Sequence, residues 1–190
     1  MAFIINGFRY TPSGIATITD SFNRADSTTT LGNADTGQAW TNAVGVLGIS
    51  SNQAYRVSAV SNEAVALLDT GTAEQIVKGT PISGITNRIV GLIGRATDSN
   101  NFYICLTDGS SVGQLYKKVS GSFTQLGSNF ALITGVMELR CQGSTISVYD
   151  DGVLVASETD TSLTTGTQAG FRISGSSATP RLDDFSVEQG

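Results

Sequence analysis

Short apolar stretches recur along the whole chain and are separated by clusters of glycine and small polar residues. Several stretches alternate apolar and polar residues with a period of two, which is typical of a β-strand with one buried face. Between Met137 and Cys141, the apolar residues fall on one side of such a strand, while Glu138 and Arg140 fall on the other. No segment shows a helical period. The pattern therefore predicts an all-β chain.

Turn residues separate these stretches at the spacing of β-hairpins. Asp151-Gly152 lies between two apolar stretches, and Asp-Gly or Asn-Gly is the strongest short-range signal for a two-residue hairpin. About a dozen strands result, which is too many for one open sheet, so two packed antiparallel sheets are expected. The same reasoning predicts further turns at 51–53, 97–101 and 120–121.

Residues 1–17 are predicted to form a hairpin arm ahead of a domain at 18–190, because Asn6-Gly7 lies between two apolar stretches. An isolated two-stranded ribbon is marginal in water, so its apolar side chains must pack on something. One alternative is an assembly contact with another chain, and the other is an extra pair of strands on the same domain. The side chains concerned are Phe3, Ile4, Ile5, Phe8 and Tyr10.

Charge and composition narrow the classes of partner. The formal net charge is −5 and the largest basic cluster is the pair Lys117-Lys118, so nucleic acid is an unfavourable partner. No stretch reaches the length of a membrane-spanning helix. The first ten residues lack the features of a secretion signal, so the chain is expected to be made in the cytoplasm without export.

The chain has no histidine, which removes the Ser-His-Asp and Cys-His nucleophile arrangements and the usual zinc sites. Cys105 and Cys141 lie in apolar, strand-like stretches without a neighbouring cysteine. They are expected to be reduced core residues, and a disulfide between neighbouring strands is the alternative.

Four motifs follow one another along the chain: DSFNRAD with Trp40, then GLIGRATDSNNFYIC, then TISVYDDGVLV, then LDDFSV. In this order they resemble the concanavalin A-like lectin and glucanase superfamily, especially the laminin-G-like domains of bacteriophage minor tail and other virion proteins. The resemblance implies a two-sheet antiparallel jelly-roll sandwich with a buried Trp40, whose first and last strands are neighbours. It implies no single ligand, because this fold carries lectins, hydrolases and structural modules.

Glycoside cleavage needs only two carboxylates, so it requires a separate test. Glucanases that the chain resembles carry Glu-x-Asp-x-x-Glu on one strand, where alternation points the carboxylates into a cleft. The nearest match here begins with Glu158 and Asp160, but Leu163 stands in place of the final carboxylate. The chain is therefore expected not to be an enzyme.

The resemblance also implies a structural calcium site. In similar folds an Asp near the end of the chain and oxygens of the first strand hold Ca²⁺, and the matching residues here are Asp183 and the segment around Asp20. Alternation places Asp183 on the same face as Phe185, towards the core. A buried carboxylate needs partners, so the alternative is a carboxylate that accepts from backbone amides or pairs with Arg24 or Arg181.

For glycan binding, the fold resemblance implies aromatic and polar side chains on an exposed face or loop rim. Each available candidate also has an ordinary explanation in turn chemistry or strand packing. The Lys117-Lys118 pair could meet an acidic sugar or line a solvated strand. The glycan-binding candidates are Asn100, Asn101, Tyr103, Tyr116 and Tyr149.

Together these observations predict a non-enzymatic bacteriophage virion protein, either a capsid-decoration protein or a tail-associated accessory protein. It would display a lectin-like domain towards host surface glycans, with other virion proteins as partners, and would form a homo-oligomer such as a trimer. The alternatives are a free carbohydrate-binding module and a relative of the glycoside hydrolases.

Overall fold

The computed structural model describes residues 17–82, 89–107, 112–131, 133–175 and 180–190. Within these ranges no helix has the length and apolar character needed to cross a membrane. The predicted arm, with Phe3, Ile4, Ile5, Phe8 and Tyr10, lies outside the described residues apart from Thr17. The strands are β1 (Ile18–Asp20), β2 (Thr41–Val44), β3 (Val46–Ser50), β4 (Gln53–Ser58), β5 (Glu63–Asp69), β6 (Gln75–Ile82), β7 (Ile89–Asp98), β8 (Asn101–Thr107), β9 (Val112–Val119), β10 (Ser122–Ala131), β11 (Met137–Gln142), β12 (Thr145–Asp150), β13 (Val153–Thr159), β14 (Gln168–Ser174) and β15 (Arg181–Gln189).

These strands form two antiparallel sheets. The eight-stranded sheet has the order β13-β12-β11-β6-β15-β4-β3, and β1 pairs with β15 beside this path. The seven-stranded sheet has the order β10-β9-β8-β7-β14-β5-β2. Ile18 is opposite Val187 and Asp20 is opposite Phe185, so the first and last strands are neighbours. The predicted two-sheet jelly-roll sandwich is confirmed.

Tight turns join consecutive strands where the sequence predicted them. In three of these turns both central residues have positive φ, which matches the right-handed twist of the flanking strands. Short polar or glycine residues tolerate this left-handed conformation best. The pairs are Ser51 (54°) and Asn52 (60°), Ser120 (49°) and Gly121 (83°), and Asp151 (48°) and Gly152 (79°).

An aromatic cluster holds the two sheets together. The Trp40 ring centroid lies 5.2 Å from that of Phe171 on β14 and 4.9 Å from that of Phe185 on β15, both in edge-to-face geometry. The Phe22 and Phe171 centroids are 5.8 Å apart. Trp40 is only 7% exposed, so the prediction that it is a core residue is confirmed.

Cys105 on β8 and Cys141 on β11 are both free and fully buried in this core. Removal from water disfavours the charged thiolate, which raises the pKa of Cys141 to about 12 and also raises the pKa of Cys105. Both thiols are therefore neutral packing groups, as the sequence predicted.

Strict alternation fails in β15. The register against β6 shifts between Asp183 and Ser186, and Asp184 has a φ of 51°. This bulge brings both Leu182 and Phe185 into the core, with 0% and 1% exposure. The prediction that Asp183 shares the face of Phe185 was wrong, because the extra residue of a bulge resets the period of two. Asp183 instead accepts a hydrogen bond from the backbone N–H of Asp184.

The buried carboxylate of Asp20 is saturated by protein donors. Its Oδ1 accepts from the Phe22 N–H at 2.8 Å and from Arg24 Nη1 at 2.7 Å. Its Oδ2 accepts from Arg24 Nη2 at 2.8 Å and from Trp40 Nε1 at 2.7 Å. A carboxylate offers about four lone-pair sites, and all are filled. This geometry does not fit the predicted calcium-binding role of Asp20, because an ion would first have to displace Arg24.

The Asp20→Ala variant should lower the free energy of unfolding by about 2–4 kcal/mol, because the buried indole N–H and the guanidinium of Arg24 would lose their acceptor. Urea denaturation checks this. The matched control is Asp35→Ala, since the Asp35 side chain is 43% exposed and lies 3.6 Å from Arg24 Nη1. The control should cost less than about 1 kcal/mol. Equal losses in the two variants would contradict a special role for the buried carboxylate.

Chelation gives an independent test of the calcium site. In the described ranges, no group of three or more His, Cys, Asp or Glu side chains is placed to hold a metal. Because Asp20 is already saturated, we expect the melting temperature to be the same in EDTA and in excess CaCl₂. A melting temperature that falls in EDTA and recovers with CaCl₂ would show that calcium stabilises the native state.

Candidate functional site

A second apolar cluster lies on the outer face of the seven-stranded sheet, away from the core between the sheets. Strand β8 shows how it arises, because Tyr103 and Cys105 face the core while the residues that alternate with them face outwards. Every member of this cluster, called the apolar floor below, is at most 5% exposed. The floor consists of Val65, Leu67, Ile93, Ala96, Phe102, Ile104 and Leu106.

Side chains from distant strands meet above the floor, which indicates that this outer face is concave. Glu63 on β5 and Lys118 on β9 are separated by β14, β7 and β8. Four strand spacings would place them about 19 Å apart across a flat sheet. Lys118 Nζ nevertheless lies 3.4 Å from Glu63 Oε1. Arg172 on β14 and Phe123 on β10 are equally far apart in the sheet, yet the Arg172 Cζ lies 5.5 Å from the Phe123 ring centroid.

A cavity of about 260 Å³ opens on the concave face and is called the concave cleft below. Phe123 is 40% exposed, and its ring centroid lies 6.1 Å from that of Tyr116 with the planes 89° apart. The two rings therefore pack edge to face where they line the cleft. The cleft is lined by Leu106, Gln114, Tyr116, Phe123 and Arg172.

Side-chain amides form a polar rim beside these rings. Gln125 Nε2 and Gln114 Nε2 donate to Asn129 Oδ1 at 2.8 and 3.2 Å. The Tyr116 hydroxyl donates to Gln125 Oε1 at 3.4 Å. Amide and hydroxyl groups can each donate and accept hydrogen bonds, so this rim can pair with ligand hydroxyls that act as donors and with those that act as acceptors.

Arg172, which lines the cleft, belongs to a charged cluster with Glu63 and Lys118. Glu63 accepts from Arg172 Nε at 2.7 Å and pairs with Lys118. The Lys118 Nζ lies 5.0 Å from the Phe123 ring centroid and 5.4 Å from that of Phe102. The two cations thus flank the exposed aromatic ring, and one carboxylate fixes both.

Of the five predicted glycan-binding residues, Tyr116 alone lines the concave cleft. Asn100 and Asn101 belong to the turn between β7 and β8, where the Asn100 N–H and Asn101 Nδ2 donate to Asp98. Asn101 Oδ1 also accepts from the Ser120 N–H. These polar groups therefore have local partners within the hairpin turns.

The structure contradicts the prediction for Tyr103, which is fully buried between the sheets and is closed to a ligand. Its hydroxyl donates to Asp160 Oδ1 at 2.7 Å. Burial and this hydrogen bond raise the pKa of Tyr103. Inward-facing positions of β8 cannot reach the cleft, because alternation points them into the core.

Asp160, from the partial match to the glucanase motif, has a structural environment. Lys117 Nζ lies 2.6 Å from its Oδ2, and Ser162 N–H donates to its Oδ1 at 2.8 Å. Burial disfavours the charged carboxylate, but the hydrogen bonds from Lys117, Tyr103 and Ser162 outweigh it and hold the pKa well below its usual range. A carboxylate held ionised in this way cannot act as a general acid near neutral pH.

The lysines Lys117 and Lys118 point to opposite faces of β9, so they do not form one basic patch.

Tyr149 lies on the other sheet, where the Arg140 Cζ stacks 4.1 Å from its ring centroid. That sheet also carries two carboxylates, Glu138 and Glu188, that share one lysine and were not identified from the sequence. Lys78 Nζ lies 3.7 Å from Glu138 and 2.5 Å from Glu188.

Phe123, Gln114 and Arg172 were not identified from the sequence. Alternation in β14 does place Arg172 outwards between the inward residues Phe171 and Ile173. The alternation in β14 indicates which face of the sheet Arg172 lies on, but not which residues lie near it. The curvature that brings β14 and β10 together involves strands far apart in sequence.

No protein-family model matches this sequence, and no curated protein matches it by sequence. Solved structures do match the fold. The carbohydrate-binding module CBM66 from Bacillus subtilis has a TM-score of 0.64 and 15% identity, over 79% of this chain and 95% of that chain. The Bacillus licheniformis β-glucanase has a TM-score of 0.57 and 12% identity, over 92% and 98%. The laminarinase from Rhodothermus marinus has a TM-score of 0.56 and 9% identity, over 90% and 95%.

Two of these neighbours are glycoside hydrolases, and they correct the expectation that the chain is not an enzyme. That expectation used the absence of histidine and an incomplete carboxylate motif. Glycoside hydrolysis needs neither histidine nor one fixed strand, because any two suitably spaced carboxylates can carry it. Identities of 9–15% show the shared architecture alone. The chain has the concanavalin A-like jelly-roll fold that its motif order predicted.

Proposed function

We propose that this chain is a carbohydrate-binding domain and that the concave cleft is its binding site. The observation that carries the proposal is the exposed Phe123 and the half-buried Tyr116, which lie beside the amide rim of Gln114, Gln125 and Asn129. Sugar rings pack their C–H faces on aromatic rings, and their hydroxyls require donors and acceptors together. The cleft offers both within one concavity.

The size of the cleft supports recognition of a single sugar unit. Its volume of about 260 Å³ lies just below the range of about 300–1,000 Å³ that is usual for small-molecule pockets. The carbohydrate-binding module among the structural neighbours shows that this architecture can serve such a function.

The Phe123→Ala and Tyr116→Ala variants should each weaken glycan binding about tenfold or more, because each removes one of the two rings that pack the sugar. A glycan array identifies the ligand, and isothermal titration measures the affinities. Tyr149→Ala is the matched control, because Tyr149 lies on the other sheet. Loss of binding in the control alone would move the site to that sheet, and an array without a single bound glycan would contradict the proposal.

We further propose that the domain is displayed on a bacteriophage virion, as a capsid-decoration or tail-associated accessory protein that meets host surface glycans. The order of the four sequence motifs, which resembles virion laminin-G-like domains, supports this role. Its partners would be other virion proteins, and it would act as a homo-oligomer such as a trimer, since several copies strengthen binding to a repetitive surface.

Purified particles should contain this polypeptide in a fixed copy number, and immunogold labelling should place it on the head or the tail. Quantitative mass spectrometry of the particles measures the copies, and light scattering of the isolated chain measures its oligomeric state. A chain that binds sugar but is absent from particles would contradict the virion role and favour a free carbohydrate-binding module.

A further inference from the structure

The concave cleft differs from the rest of the molecule in its charge. The whole chain has a formal net charge of −5. Two cations, Arg172 and Lys118, nevertheless meet a single carboxylate, Glu63, and Arg172 lines the cleft. Glu63 compensates one positive charge and leaves the other for a ligand.

One hydrogen bond, from Arg172 Nε to Glu63, holds the Arg172 guanidinium in place. Its Nε donates to Glu63 at 2.7 Å, and within the described part of the chain its two Nη atoms have no hydrogen-bond partner. Arg172 also lines the concave cleft. The side chain is otherwise well covered, at 16% exposure. The guanidinium is therefore pre-oriented, with one edge available.

Lys118 adds a fixed charge rather than a mobile one. Its side chain is 7% exposed, and its Nζ donates to the Ser99 carbonyl at 2.9 Å. A partly desolvated cation interacts more strongly with a nearby anion than a solvated one does. The ammonium therefore raises the positive potential beside the exposed ring of Phe123.

We propose that the concave cleft takes an acidic sugar of the uronic acid class. Its carboxylate would pair with the free edge of Arg172 while its ring packs against Phe123 and Tyr116. This inference rests on the proposed carbohydrate-binding function and names its ligand class. A carboxylate is planar and matches two parallel N–H groups of a guanidinium, whereas a neutral hydroxyl leaves the excess charge without a counterpart.

The test compares tetragalacturonate with the galactotetraose of the same α-1,4 linkage, so that the two oligosaccharides differ only at carbon 6. Tetragalacturonate should bind about tenfold or more tightly than galactotetraose in isothermal titration, because a charge-assisted hydrogen bond replaces a neutral contact. Raising NaCl from about 50 mM to about 500 mM should weaken the binding of tetragalacturonate and leave that of galactotetraose nearly unchanged.

Variants then assign the preference to Arg172. Arg172→Gln should bring the two dissociation constants together, because it removes the positive charge that pairs with the carboxylate of tetragalacturonate. Arg172→Lys keeps the charge without the planar fork and should retain only part of the preference. Arg140→Gln makes the same change of charge on the other sheet and should keep the full preference. Thermal melts confirm that each variant is folded.

The outcomes separate this inference from the function on which it rests. Binding of neutral glycans through Phe123, with no preference for tetragalacturonate, would overturn the acidic-sugar inference and leave the proposed function intact. A folded protein that binds no glycan would overturn both. Equal, Arg172-dependent affinity for a sulfated galactan oligosaccharide would show that the cleft reads charge rather than carboxylate shape, and would overturn the assignment to uronic acids.

Discussion

The curvature of the seven-stranded sheet is the constraint on which the candidate site depends. Glu63 and Lys118 start from strands that a flat sheet would hold about 19 Å apart, and they meet only because the sheet bends over its own outer face. The bend lets long polar side chains cross above the apolar floor. A flat sheet with the same residues would expose that floor, and Phe123 would lie far from Arg172.

The core between the sheets determines where the two ends of the chain lie. Asp20 on β1 accepts from Trp40, and the Trp40 ring packs against Phe171 on β14 and Phe185 on β15. One buried carboxylate thereby orients the aromatic cluster that contacts both sheets. A calcium ion could connect the terminal strands in the same way, but Arg24 already supplies the positive charge that Asp20 requires.

Local sequence patterns predicted most of the fold and little of the site, for a physical reason. Alternation and turn residues act over a few positions, so they predicted the hairpin at Asp151-Gly152 and the shared face of Met137 and Cys141. Asp183 was misplaced because a bulge at a non-glycine residue leaves no clear sequence signal. Arg172 was missed because its role depends on Phe123, from which it is separated by about 50 residues and three intervening strands.

The acidic character of the chain does not conflict with an anionic ligand at the cleft. At physiological ionic strength the screening length is about 8 Å, so most of the net charge of −5 is screened at the cleft. The charges that act there are the partly buried ones within a few ångströms, and two of those three are positive. On the other sheet, the carboxylates of Glu138 and Glu188 are matched by the cations Lys78 and Arg140, so no excess positive charge remains there. Among the described residues, the concave face therefore combines an excess positive charge with an exposed aromatic ring beside a cavity.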